Sequence, residues 1–494
     1  MLTHDLRAVA RQVMIDDGFD PDFAPAVAGE LQQVGKHGDA GPAPVDMRDR
    51  LWSSIDNDDT RDLDQIEYAD AAENGDFRLY IGIADVDAEV PKGSAIDAHA
   101  SAQTTTVYTG AAIFPMIPTE LSAGATSLFS GVDRKCVMVE MLIGSNGELR
   151  SAKIYRALVK NRAQLAYSGV GVWLDDGAAV PEAITKTPGL EAQVRLQARI
   201  AAALRKTRLE KGALDIETIE ARAISTNGQV TAIEKTQRNT ATDVIEDFMI
   251  AANQSVASFL EQHHVSGIRR IVRSPERWER IVDLAKEFGK QLPAAPDPVA
   301  LQTFMLERKR ADPDHFPDLS LAVVKLLGPG EYILDQPGVE EPGHFGLAVQ
   351  DYTHSTAPNR RYADLVTQRI VKAVLAGNPP PYTDDELSAI ARNCTLREDA
   401  ARKVERSVRK IAAAILFSNR IGERFKAIVT GNKSSGTYVR VVNPPVEGRL
   451  MRGEKGVDVG DEIEVELLST NPKRGFIDFG RVGSTPTPNP PGKR

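Results

Sequence analysis

The chain has 494 residues, with 69 acidic against 60 basic side chains and a net charge of −9, so a generic nucleic-acid coat is excluded and any binding of a polyanion has to be local. Two cysteines, Cys136 and Cys394, exclude a disulfide framework and lack metal-ligand company, while an apolar content of 42% supports a large core. The longest apolar run, Ile411 to Phe417, is too short to span a bilayer and no secretory signal precedes Asp5, so a cytosolic protein is expected.

In chain order, Thr3 is placed to cap a helix running through Met14, and Asp20-Pro21 to open a second through about Gln33. Residues 1–44 therefore form a small helical element, helix-turn-helix-like, whose default role is packing. Between Ile55 and Gln65 five aspartates fall within nine positions. Two carboxylates about 4 Å apart repel by roughly 4 kcal/mol at an effective dielectric near 20, so convergence of several needs a cation or a raised pKa. All-oxygen ligation suggests magnesium, manganese or calcium rather than zinc.

Asp56, Asp58, Thr60, Asp62, Asp64 and Glu67 match the ligand spacing of an EF-hand, but Arg61 stands where that loop needs glycine and the following residues read as a strand. A solvated acidic loop and a catalytic magnesium site remain. Phe77 to Val86 is a buried-strand pattern, and the Asn74-Gly75 turn pairs it with the strand starting at Gln65, which sets the acidic loop at the lip of a sheet.

Further blocks follow: Val107-Tyr108-Thr109-Gly110, Phe114-Pro115-Met116-Ile117-Pro118, His344-Phe345-Gly346, and Tyr352-Thr353-His354 running into Asn359-Arg360-Arg361-Tyr362. A helix with Arg402, Arg406, Arg409 and Lys410 on one face carries Glu405. Basic runs at Arg195 to Lys211 and Arg269 to Arg273 are further candidates to line a channel in an acidic molecule.

In this order and over this distance the blocks resemble the catalytic domain of the ribonuclease II family, across residues 45–420. The resemblance implies an α+β fold and a processive 3′→5′ exoribonuclease that hydrolyses single-stranded RNA, not DNA, to nucleoside 5′-monophosphates. It implies Mg2+, or Mn2+, held by Asp56, Asp62, Asp64 and Gln65, the last standing where the family has a fourth aspartate. It further implies Arg360 as the phosphate clamp, Glu405 as an active-site acid, Tyr108 as a base-stacking platform, and Arg361 and Arg222 as substrate contacts. The alternative is a non-hydrolytic RNA-binding or regulatory relative whose site has decayed at Gln65.

Past residue 424 short alternating strands punctuated by glycine and proline read as a small barrel over 425–482, similar to the S1-type OB-fold RNA-binding module. Phe425 and Tyr438 are candidates there for base stacking, with barrel-core packing the competing role for each. Residues 483–494, rich in proline, threonine and glycine, read as a disordered tail.

Overall fold

A run of alternating or continuously apolar strands between residues 45 and 166 builds the centre of the molecule. The computed structural model describes residues 5–36, 41–217, 220–226, 229–236, 238–433 and 436–484. Helices α1 (Leu6–Asp16) and α2 (Pro25–Leu31) precede strands β1 (Val45–Asp46), β2 (Ser53–Asp56), β3 (Gln65–Ala71) and β4 (Phe77–Ala84). Helix α3 (Ala95–Gln103) leads to a small hairpin, β5 (Val107–Tyr108) and β6 (Ile113–Phe114), and then to β7 (Asp133–Ile143), β8 (Leu149–Lys160) and β9 (Ala163–Ala166).

Seven of these strands form one sheet in the order β1-β8-β7-β4-β3-β2-β9. Strands β3 and β4 pair antiparallel with Gln65 opposite Ile83 and Ala71 opposite Phe77. Their connection holds Asn74 and Gly75 at φ 59° and 80°, the left-handed conformation for which this residue pair is suited. Because β2 pairs on its other side with β9, Asp56 ends against Ala166 and the acidic loop projects from one end of a central strand pair. From Leu79 to Ala84 β4 is buried on both faces, which explains its uninterrupted apolar sequence.

Helices α4 (Tyr167–Asp176), α5 (Glu182–Thr185) and α6 (Leu190–Glu210) follow, and a two-stranded ribbon of β10 (Glu220–Thr226) and β11 (Gln229–Thr236) leads into α7 (Thr240–Gln262). Strand β12 (Gly267–Ile271) pairs with β13 (Glu331–Asp335), and between them lie α8 (Trp278–Glu287), α9 (Pro298–Ala311) and α10 (Phe316–Leu327) around their own apolar cluster. Helix α11 (Tyr362–Leu375) begins directly after Arg361.

Helix α12 (Asp384–Phe417) is 34 residues long, about 51 Å at 1.5 Å per residue. A capping box of Thr383 and Glu386 starts it, reinforced by three acids in the first turn. Its stripe of Ala401, Val404, Val408 and Ile411 packs against Leu6, Ala10 and Met14 of α1 and against Val107 and Phe114 of the hairpin. The N-terminal helices thus pack on the rest of the protein as expected. The cap of α1 is Asp5, whose side chain accepts from Arg7 N, and Thr3 lies outside the described residues. Helix α2 starts at Pro25 instead of Pro21, because Pro25 takes its first turn while the Asp20 carboxylate holds Asp22 N in the preceding bend.

Strands β14 (Arg424–Lys433), β15 (Gly436–Val441), β16 (Glu447–Arg452), β17 (Glu462–Asn471) and β18 (Phe476–Arg481) close a barrel in the order β14-β15-β16-β18-β17. The fold is α+β, with the small barrel expected near the C-terminus. Phe425 corrects the sequence reading: it is 7% exposed and its ring packs with Phe417 of α12 and Phe479 of β18, so it belongs to the barrel core and offers no face to a base. Tyr438 is 38% exposed on β15. The expected disordered tail falls almost wholly outside the described residues, which end at 484. No helix among the described residues is long and apolar enough to cross a membrane.

Candidate active site

The acidic loop is held from both sides. Ser127 Oγ accepts from Leu63 N at 3.0 Å and donates to Arg61 O at 2.8 Å, and Leu128 N donates to Leu63 O. At its start Asp56 Oδ1 accepts from Asn57 N at 2.7 Å and from Thr60 Oγ1 at 2.9 Å. Burial raises the Asp56 pKa, partly offset by those hydrogen bonds and by Arg360. At the other end Asp64 is 2% exposed, accepts from Asn359 N at 2.9 Å and lies 3.4 Å from Arg360 Nε. Burial pushes its carboxyl up to about 7 against the pull of Arg360.

Three distant segments complete the site, two of them paired with each other. The chain from Thr104 to Tyr108 runs beside residues 360–362, with Thr106 N donating to Arg360 O at 3.0 Å and Tyr362 N to Thr104 O at 2.8 Å. This pairing brings Tyr108 to the loop: its hydroxyl donates to Asp62 Oδ2 at 2.9 Å while its backbone N–H donates to Glu405 Oε1 at 3.2 Å. Tyr108 remains 39% exposed, and burial with the Asp62 charge pushes its hydroxyl pKa upward. Asp56, Asp62, Asp64, Tyr108, Arg360 and Glu405 therefore come together from four parts of the chain.

The remaining expected residues are placed differently. Gln65 opens β3 and is buried. Arg361, adjacent to the half-exposed Arg360, turns into the fold and binds the fully buried Asp364 at 2.7 Å. The backbone of Arg222 lies in β10, but its side chain is outside the described residues. Part of the basic runs is spent on internal pairs, with Arg208 bound to Asp247, Arg269 to Asp335 and Arg270 to Glu398, while Arg195, Arg199, Lys206, Lys211 and Arg273 are exposed. Arg402, Arg406, Arg409 and Lys410 of α12 stay exposed.

Sequence reasoning gave Asn359, Ser127 and Thr60 no role in holding the acidic loop, since neutral hydrogen-bonding residues carry no pattern of their own. It passed over Tyr167 and weighed Glu67 only within the rejected EF-hand spacing. Glu67 pairs with Ser53 across β2, is fully buried, and feels the Asp56 charge, which together with burial raises its pKa well above the usual range. Tyr167, which follows β9, is acted on by both Asp56 and Glu67. The available signal was the spacing of two from Gln65, which puts Glu67 on the same strand face.

Among the described residues no three acidic, histidine or cysteine side chains form a ready-made metal cage. The expected set of Asp56, Asp62, Asp64 and Gln65 is gathered at one end of the sheet, yet Thr60, Tyr108 and Arg360 each engage one of its carboxylates. The donor chemistry fits a hard divalent cation all the same. The set is all oxygen, Asp64 is buried with a raised pKa, and both carboxyl oxygens of Glu67 are buried without a hydrogen-bond partner.

Comparison with known proteins places this geometry. Residues 45–377 match the RNB domain, and residues 423–482 match the RNase II-type exonuclease C-terminal S1 domain. The chain is 30% identical to ribonuclease R of Escherichia coli strain K12 over 94% of its own length and 60% of that protein's. It is likewise 30% identical to ribonuclease R of Thermotoga maritima, covering 88% of this chain and 64% of the relative. It thus spans less than two thirds of either relative. Among solved structures, Mycoplasma genitalium RNase R in complex with ribose methylated single-stranded RNA superimposes with a TM-score of 0.85 at 21% identity, covering 97% of this chain and 78% of that one. Yeast Ssd1, a pseudonuclease, shares the fold at a TM-score of 0.70 and 17% identity, over 94% of this chain and 57% of Ssd1. The RNB match alone spans more than half of the residues and contains the acidic loop, the Tyr108 hairpin and Arg360, so the chain belongs to the RNB-domain family of RNase II-type proteins.

Proposed function

We propose that the protein is a processive 3′→5′ exoribonuclease that degrades single-stranded RNA to nucleoside 5′-monophosphates in the cytoplasm. The observation that carries this reading is the convergence of Asp62, Tyr108 and Glu405 in one hydrogen-bonded group beside the Asp64–Arg360 pair. The family membership and the name of the relatives support the same reaction. Asp56, Asp62 and Asp64, with the Gln65 amide oxygen, would hold Mg2+ or Mn2+, which when bound polarises the phosphoryl oxygen and lowers the pKa of water.

The chain's own groups do the rest. Arg360 presents a half-exposed guanidinium beside Asp64, where it binds a phosphate and stabilises charge on its oxygens. Tyr108 offers its ring to a base while its hydroxyl fixes the Asp62 carboxylate, so stacking and ligand geometry are set by one side chain. Glu405 orients Tyr108 through the backbone N–H. Discrimination against DNA rests on contacts to the 2′-hydroxyl.

Gln65 motivates a second reading, a non-hydrolytic RNA-binding relative. Against it, the residue types the chemistry needs stand at Asp56, Asp62, Asp64, Arg360 and Glu405. The test is to incubate a 5′-labelled oligoribonucleotide and its deoxy counterpart with protein and magnesium and to size the products. Progressive shortening of the RNA alone is expected, with release of mononucleotides; intact RNA under all conditions, with RNA binding retained, would establish the second reading.

A further inference from the structure

Glu67 has no exposed surface, and neither of its carboxyl oxygens has a hydrogen-bond partner. A buried acid that no neighbouring side chain satisfies is rare and costly, and it is relieved by protonation, by a water or by a cation. Its placement indicates which one. Gln65 and Glu67 are two apart on β3, hence on one face of the strand, and β2 lies alongside with Ser53 opposite Glu67 and Asp56 at its end. Asp56 is the charged neighbour that acts on Glu67, and Tyr167 feels both. Ser53 Oγ and Gln197 Oε1 are likewise buried without partners, and Gln197 Nε2 approaches Glu67 O at 3.5 Å, so unsatisfied polar atoms gather around this one acid.

We propose that Glu67 supplies the fourth carboxylate of the divalent-metal site, two residues along β3 from the neutral Gln65. The inference rests on the exonuclease reading for the presence of a metal, but not on catalysis for its test. The loss of charge at Gln65 is then a relocation: the acid moves two residues along the same face of β3 and meets the cation directly or through its bound water. A glutamine, having no net charge, leaves room for the deeper acid without adding like-charge repulsion at the mouth of the site.

Mn2+ binding to the full-length, metal-stripped protein, read from the loss of the free-ion paramagnetic resonance signal, tests this. Glu67→Gln is expected to weaken Mn2+ binding at least fivefold, and adding Gln65→Asp to that variant is expected to bring it back to within twofold of wild type. Unchanged affinity in Glu67→Gln, with the wild type binding well, overturns the proposal and makes Glu67 a core acid only. Should Glu67→Gln not fold, Gln65→Asp alone decides: a gain of less than twofold supports a site already supplied by Glu67, and a tenfold gain overturns it. Wild-type protein that shortens RNA yet loses nothing in Glu67→Gln counts against Glu67 alone, whereas wild-type protein that neither binds Mn2+ nor shortens RNA overturns both readings.

Discussion

At position 64 an asparagine keeps the shape of the side chain and the Asn359 hydrogen bond but removes the charge that faces Arg360. Binding of a long RNA draws on many contacts away from Asp64. Asp64→Asn is therefore expected to lower hydrolysis by roughly 10²–10³-fold, with RNA affinity within about twofold of wild type. Rate and affinity measured on one preparation check this, and near-normal turnover would remove Asp64 from the site. Tyr108 allows a finer division. Tyr108→Ala loses both ring and hydroxyl and is expected to lengthen the last undigested fragment, because short products stay bound only while a stacking surface grips them. Tyr108→Phe keeps the ring and leaves Asp62 without its partner, so fragment length on a gel is expected to hold while the rate falls.

Around β12, β13 and the segment leading to Arg360, two histidines are kept neutral. His354, hydrogen-bonded to the Tyr332 hydroxyl of β13 at 2.8 Å, is driven well below its usual pKa by burial and by Arg361 and Arg270. His344 is brought down to about 4 by burial, with Arg270 adding to it. In the unfolded chain both take up protons near pH 6.5. Their contribution to stability is thus complete above that value and is lost as pH falls toward 4. The denaturant midpoint is expected to drop between pH 7.5 and 5, and His354→Asn to flatten that slope; an identical slope in the variant would assign acid sensitivity elsewhere.

The hairpin of β3 and β4 was readable in advance because apolar alternation, a continuous apolar run and Asn74-Gly75 all agree. Asp62, Tyr108 and Glu405 were legible through family motifs, though their mutual hydrogen bonds depend on a pairing between residues some 250 positions apart, Thr105 with Arg361. Arg360 and Arg361 are the same residue type side by side, and only Asp364 at the third position on decides which one turns inward. Phe425 reads equally as a stacking platform or a core ring until Phe417 arrives from α12. Glu67 looks like the polar face of a strand, since its burial depends on β2 on one side and α6 above.

For the whole molecule, the acidic balance means that RNA has to be gripped by local surfaces. The barrel offers Tyr438 and Phe476, 38% and 53% exposed, as aromatic platforms. Replacing both by alanine is expected to weaken binding of long RNA by about 1–3 kcal/mol per lost stack. The slope of affinity against salt is expected to remain, since no phosphate contact is removed. Hydrolysis of oligomers too short to reach the barrel is expected to be spared. Equal losses on short and long substrates would show that the barrel acts on the chemistry itself.

The ring cluster of Phe417, Phe425 and Phe479 crosses the point where catalytic chain and barrel would be divided on sequence grounds. A chimaera spliced between residues 420 and 425 would hand the incoming barrel a foreign helix end and leave Phe417 facing a surface never shaped for it. A barrel grafted onto this chain is therefore expected to fold in register only if it carries the last turn of α12 with it. As a packing unit the barrel begins inside the helix, before its own first strand.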